Sequence, residues 1–222
     1  MSIRARILSR FEGPVQRLRL GIEGPYHFVT GQYLSIEHPD GTQVPLSIAS
    51  TPDELPELEL HYRSTPGDAA AAKVDEMLDT GYLTVSLPAG RVLCPEDAGM
   101  LLLIAGGVGA SQAIACARHR AHRDDCGISH VVWCADNDSD IYAADTLTEL
   151  PETSLDVVVD PRRTAANLGL SHVANLDHAA YSHIILCGSP PFVYAMTDVL
   201  EGAGVNPSRL AADVYDYAPR QN

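Results

Sequence analysis

The strongest constraint on this chain is residues 100–111, Met-Leu-Leu-Leu-Ile-Ala-Gly-Gly-Val-Gly-Ala-Ser. An unbroken apolar run of strand length passes directly into a glycine-rich turn. The alanine-rich residues 112–120 that follow are apolar on one face, as a helix requires. Strand, glycine turn and helix N-terminus together make an anion site. Glycine lets the backbone approach, free N–H groups point at the ligand, and the helix dipole favours negative charge. A tight turn alone would also call for glycine at Gly106, Gly107 and Gly109. Its place after the first strand of a strand–helix series, and before a helix, favours a cradle for a dinucleotide's pyrophosphate.

The pattern on either side of this stretch differs. Upstream, apolar and polar residues alternate over short runs, predicting strands at 2–9, 15–22, 31–36, 44–50, 57–63 and 82–87. Turns are expected at Glu12-Gly13-Pro14, Pro39-Asp40-Gly41 and Pro88-Ala89-Gly90. One helix is expected over 68–79, with Gly67 and Asp68 at its start. Short, closely spaced strands with one helix predict a small closed antiparallel β-barrel. Downstream, strands at 100–105, 129–135, 155–159, 183–187 and 209–213 alternate with helices at 110–122, 143–150, 170–176 and 191–203. That alternation predicts an α/β domain with a parallel sheet covered on both faces. The change falls near residues 95–99, which gives a two-domain chain: a barrel over 1–97 and an α/β domain over 98–222.

Composition removes several function classes. The formal charge of −14 repels nucleic acid and anionic lipid. No apolar stretch approaches membrane-spanning length, and residues 1–10 lack a signal-peptide core, so the expected location is cytoplasmic. The five cysteines (Cys94, Cys116, Cys126, Cys134, Cys187) are scattered, without the spacing of a zinc, redox or iron–sulfur motif. They are expected to be reduced and mostly buried. His119 and His122 share a helix face, but without a third ligand they read as a solvated surface. The run Asp136, Asp138, Asp140 imitates a calcium loop and fails it, since Ile141 and Leu147 stand where glycine and glutamate are needed. No metal is expected.

Two further places bear on chemistry. Asp136 ends the second strand of the α/β series, where an acid accepts hydrogen bonds from an adenosine ribose diol and repels a 2′-phosphate. A solvated loop acid is an equally weighted alternative. Cys187-Gly188-Ser189-Pro190-Pro191 follows the fourth strand, at the carboxyl edge where open α/β sheets bind ligands. Gly188 and the prolines predict a rigid turn beside the first glycine loop, with Cys187 at its lip; an inert buried thiol is the alternative. Residues 45–50, Pro-Leu-Ser-Ile-Ala-Ser, would by themselves be an edge strand with surface serines.

Taken in order, Gly31-Gln32-Tyr33-Leu34, then Pro45-Leu46-Ser47-Ile48-Ala49-Ser50, then residues 101–109, then Cys187-Gly188-Ser189-Pro190 resemble the ferredoxin–NADP reductase superfamily. The resemblance runs from about residue 3 to residue 217, and a chain of this length is most similar to the bacterial NAD(P)H:flavin oxidoreductases. It implies an oxidoreductase that passes hydride from nicotinamide C4 to flavin N5 without an acid–base pair. Reduced flavin would go to a partner monooxygenase, another electron acceptor or ferric iron.

By position, the Ser47 hydroxyl would hydrogen-bond flavin N5, Pro45, Leu46 and Ile48 would line the ring, and Tyr33 would contact it. Gly106, Gly107, Val108 and Gly109 would meet the dinucleotide. Cys187 and Gly188 would border the nicotinamide, Ser189 and Pro190 would also meet the NAD(P)H, and Tyr215 or Tyr217 would cover the stacked rings. Two departures matter. The family's flavin strand carries an arginine where Val44 stands and an aromatic where Leu46 stands, with Arg63 a substitute for the arginine. Flavin (FMN, FAD or riboflavin) is therefore expected to bind weakly, as an exchanging substrate. Asp136 stands where NADPH users place a basic residue, which favours NADH. The alternatives are a reductase component of a multicomponent oxygenase with tightly held flavin, and a non-catalytic nucleotide-binding relative.

Overall fold

The computed structural model describes residues 2–64, 68–161 and 166–220. The chain divides into two units, Met1–Leu93 and Cys94–Asn222. Because the expected boundary lay after residue 97, the assignment of residues 94–97 is corrected, and the reason is Arg120. Its buried guanidinium donates to the carbonyls of Pro95, Asp97, Gly99 and Gly127. A buried charge needs such partners, so the segment that satisfies Arg120 belongs to the second unit.

The first unit contains β1 (Ser2–Phe11), β2 (Gln16–Ile22), β3 (Tyr33–Glu37), β4 (Gln43–Ser47), β5 (Glu57–Tyr62), α1 (Ala69–Leu78) and β6 (Tyr82–Ser86). The strands form a six-stranded sheet in the order β4-β3-β6-β1-β2-β5, antiparallel throughout. Its two ends meet just beyond β4: Ile48 bridges Leu60, and the Ala49 N–H donates to the Glu59 carbonyl at 2.8 Å. That closes the expected barrel. Alternation sends Leu34, Ile36, Leu58, Leu60, Leu83 and Val85 into one core. Asp68 caps α1, accepting from Ala70 and Ala71 N–H at 2.9 and 3.1 Å, and Val74 and Met77 pack that helix on the barrel. Gly67, the other expected starter, lies outside the described residues.

The second unit contains β7 (Met100–Gly106), α2 (Ala110–Ala121), β8 (Ser129–Ala135), α3 (Ala144–Thr148), β9 (Thr153–Val159), α4 (Ala166–Ala174), β10 (Tyr181–Cys187), α5 (Pro190–Gly202), β11 (Leu210–Ala211) and α6 (Val214–Tyr217). All strands are parallel, in the order β11-β10-β7-β8-β9. β7 is central, so both faces are covered and its interior reads as a continuous apolar run. Two expectations shift. The last strand is two residues rather than five, because the chain turns into α6 directly after Asp213. Residues 143–150 yield only a five-residue helix, bounded by Ala143 in a non-helical conformation.

From β7 the chain builds outward through β8 to β9, then returns to place β10 on the other side of β7. The strand order therefore reverses between β7 and β10. In an open α/β sheet, the crevice at the carboxyl ends of two such strands is where ligands bind.

Candidate functional site

The carboxyl ends of β7 and β10 carry the two glycine turns. Residues Gly107–Gly109 form a single 3-10 turn that leads without a break into α2. Gly107 has φ 54°, a conformation costly to residues with a Cβ. Gly109 is required for a different reason. A Cβ there would fall inside contact distance of the Cys187 carbonyl and stand 2.7 Å from the Gly188 nitrogen. The two turns are thus packed backbone against backbone. Phe192, in the first turn of α5, seals the joint: a Cβ on Gly106 would meet its ring at 2.7 Å, and one on Gly188 at 2.9 Å. Helices α2 and α5 both begin here; the N–H groups at the start of α2 lie at this edge of the sheet, whereas α5 opens on Pro190 and Pro191, which have none to offer.

Three side chains that sequence reasoning passed over hold this edge together. The indole N–H of Trp133 on β8 donates to the Gly107 carbonyl at 3.1 Å. Gln112 on α2 donates to Asp213, beyond β11, at 3.3 Å. Phe192 is the third. Only Trp133 left a signal, since a lone tryptophan in an apolar strand needs a partner for its N–H.

Cys187 does not stand at the lip of its turn. It is 2% exposed, and burial raises its thiol pKa far above the ordinary range, so the alternative of an inert thiol holds and the turn presents its backbone. Ser189 precedes α5 and Pro190 begins it. Asp136 follows β8 directly, half-buried, with partners within the protein.

In the first unit, Tyr33 on β3 pairs with Ser47 on β4, and Ser35 pairs with Pro45. Paired residues share a face, so Tyr33, Pro45 and Ser47 form one patch on the outside of the barrel. The Ser47 hydroxyl takes no hydrogen bond among the described residues. Val44 lies on the opposite face, 6% exposed, within the barrel core, and Leu46 packs against that core. Ile48 is corrected: at 1% exposure its side chain belongs to the core, and its N–H is taken by the Gln32 carbonyl at 3.1 Å. It cannot line a ring with its side chain. Arg63 follows β5; counted from the Ile48–Leu60 bridge, it comes level with Pro45.

Of the two tail tyrosines, Tyr215 departs from its expected role. The Tyr215 hydroxyl bonds Thr197 at 2.7 Å, and its ring lies 5.9 Å from that of Tyr194, whose own hydroxyl donates to the Ala218 carbonyl. Tyr215 thus lines a cleft of about 220 Å³ against α5 and is not available as a cover. Tyr217 is 59% exposed.

Among the described residues, no group of three or more His, Cys, Asp or Glu is disposed to hold a metal, and no helix is long and apolar enough to cross a membrane. His119 reaches Glu96 at 2.9 Å and His122 the Arg118 carbonyl at 2.6 Å, so they do not converge.

No family model matches the chain. It is 27% identical over 217 residues to reductase component 1 of terephthalate 1,2-dioxygenase from a Comamonas species, covering 91% of this chain and 64% of that protein. It is 31% identical over 137 residues to the NAD(P)H-flavin reductase of Vibrio harveyi, covering 59% of this chain and 58% of that one. In structure it matches a mutant ferredoxin-NADP+ reductase from Plasmodium falciparum with a TM-score of 0.83 at 14% identity, over 95% of both chains. Its sequence relatives and structural neighbours are ferredoxin–NADP reductase-type proteins, flavin reductases among them, and its two units carry that two-domain fold. The chain spans 64% of the length of the Comamonas reductase.

Proposed function

We propose that this chain is an NAD(P)H-dependent flavin reductase, with the nucleotide held by the second unit and the flavin by the first. The observation that carries this reading is the meeting of two glycine turns where the strand order reverses, since Gly109 leaves no room for a side chain against Cys187. A cradle of backbone N–H groups in an acidic chain suits a ligand whose negative charge sits in one compact pyrophosphate. Gly106, Gly107, Val108 and Gly109 take that pyrophosphate. Gly188, Ser189 and Pro190 form the neighbouring wall, to which Cys187 contributes its backbone. Asp136 accepts from the adenosine ribose and disfavours a 2′-phosphate, so NADH is preferred over NADPH.

On the barrel, the Ser47 hydroxyl is the hydrogen-bond donor, beside Tyr33 and Pro45, with Leu46 below them and Arg63 near by. Nicotinamide and flavin would themselves supply the hydride-transfer chemistry, C4 of the one being the donor and N5 of the other the acceptor. The protein's part is to stack, space and exclude water, which accounts for a site built without an acid–base pair. Val44 offers no charge, so flavin exchanges as a substrate and reduced flavin, or its electrons, passes to an oxygenase or another acceptor. The protein works in the cytoplasm.

Anaerobic NADH oxidation tests this, with riboflavin, FMN or FAD added and with none. Turnover only with added flavin is expected, from protein that purifies without the yellow absorbance of bound flavin. A second reading, an oxygenase reductase component with tightly bound flavin, is favoured by the relatives bearing that description, which are longer than this chain. Stoichiometric yellow protein reduced by NADH alone would establish it. Failure to oxidise NADH under any of these conditions would leave the non-catalytic alternative.

A further inference from the structure

Trp133 is the chain's one tryptophan, fully buried on β8, and its ring meets that of Tyr142 edge-on at 5.2 Å and 88°. Its N–H is spent on the carbonyl of Gly107, the residue of the first turn with positive φ. Choosing that carbonyl has a geometric consequence. A trans peptide is planar, so the Gly107 C=O and the Val108 N–H point in opposite directions. With the carbonyl drawn in toward the buried indole, the Val108 N–H points away from it, to the outer side of the turn. Glycine tolerates both hands of the backbone, so the orientation of this peptide depends on the donors that hold its carbonyl: the Ala110 N–H, which closes the 3-10 turn, and the Trp133 indole N–H as the second. Rotated, it would present an oxygen to the ligand instead of a donor, and an oxygen repels an anion. The next peptide is held separately, by the Ser111 hydroxyl donating to the Val108 carbonyl at 2.8 Å.

We propose that Trp133 is a positioning residue for nucleotide binding: its indole N–H locks the Gly107–Val108 peptide with the Val108 N–H outward, as a donor to the pyrophosphate. Trp133 touches no ligand and acts only through Gly107. The proposal rests on the nucleotide reading of the glycine turn.

The test replaces Trp133 with benzothienylalanine, which keeps the ring's shape and puts sulfur in place of the N–H, with Trp133→Phe as a second variant. Calorimetry gives the affinity for ADP-ribose, which carries the pyrophosphate, and for adenosine, which does not; steady-state rates at saturating flavin give KM and kcat for NADH. The expected result in both variants is about tenfold weaker ADP-ribose binding and a matching rise in KM, as for one lost anchoring hydrogen bond. Adenosine affinity and kcat should stay within about twofold. A merely structural role would lower the melting temperature and leave the ADP-ribose-to-adenosine ratio where it was.

Unaltered ADP-ribose binding by a folded variant overturns the role of Trp133 alone. Absence of ADP-ribose binding by the unmodified chain overturns the glycine-turn reading and this proposal with it. The unmodified chain also supplies a measurement that needs no variant, because its lone indole N–H gives one proton resonance. Exchange of that proton with solvent should slow on addition of ADP-ribose and not of adenosine. An unchanged rate in bound protein overturns the lock.

Discussion

The barrel patch and the glycine edge are built from different materials. At the glycine edge the contact surface is backbone, and side chains are excluded by the proximity of Gly109 to Cys187 and of Gly106 to Phe192. On the barrel the surface is the outward half of two paired strands, Tyr33 with Ser47 and Ser35 with Pro45, and its chemistry depends on which residue occupies each position. A backbone site tolerates sequence change wherever its glycines, and the side chains that hold its peptides, are kept. A side-chain site can lose a function at one position and keep its shape. Val44 and Leu46 both pack with the barrel core and keep the strand in place, while neither carries a charge or an aromatic ring.

The contrast is sharpest at Gly109. Gly109→Ala should destabilise the second unit by about 3 kcal/mol, the upper end of the usual overpacking cost, because the obstacle is backbone and cannot rotate away. NADH oxidation should fall by about a hundredfold or more. Urea unfolding followed by Trp133 emission reports the second unit alone, since the one tryptophan lies there. The matching barrel change, Pro45→Ala, should cost less than about 1 kcal/mol. Comparable losses at the two positions would break the distinction.

Ser47→Ala should lower turnover about tenfold, the equivalent of one transition-state hydrogen bond, with the KM for NADH unmoved. Unchanged turnover removes the role assigned to that hydroxyl. Asp136→Ser should narrow the preference for NADH over NADPH by about fivefold, measured as the ratio of the two kcat/KM values, since one ribose contact and one repulsion are lost. A ratio that does not move returns Asp136 to the alternative of an ordinary loop acid.

The smallest effect concerns pH. The hydrogen bond from His183 and that from the Gly99 N–H hold the Asp97 carboxyl below its ordinary range. A carboxylate with a lowered pKa in the folded state contributes stability above the unfolded value of about 3.9, and that contribution is lost as pH falls below it. Asp97→Asn should therefore lower the neutral plateau slightly, by the contribution that is removed, and flatten the acid limb of the second unit's stability profile. A limb as steep as the original would assign acid sensitivity elsewhere, for instance to Asp156, whose pKa stays low despite burial because His172 and His130 both bond it.

Most of the architecture was legible in residue patterns. The unbroken apolar run of β7, of strand length and bounded by glycine, read as a strand covered on both faces, and the alternation in β3 and β5 read as half-buried strands. Asp68 announced the start of α1. The site was legible less evenly. The two glycine turns could be found, because turns demand particular residues. Ile48 could not be placed, because alternation tells which residues share a face and the strand's bridge to Leu60 decides what that face meets. Tyr215 went astray for a similar reason: a tyrosine in a tail says nothing about the Thr197 hydroxyl that captures it.

By itself, then, the sequence determined two kinds of sheet, the turn that joins β7 to α2, and the need for glycine there. Periodicity and backbone freedom are local properties, carried by neighbours along the chain. The tertiary structure alone decided that Gly109 would meet Cys187, that Trp133 would hold Gly107, and that Arg120 would draw residues 95–99 into the second unit. Those contacts join residues far apart in the chain, and strand order, which no local pattern encodes, is what brings them within reach.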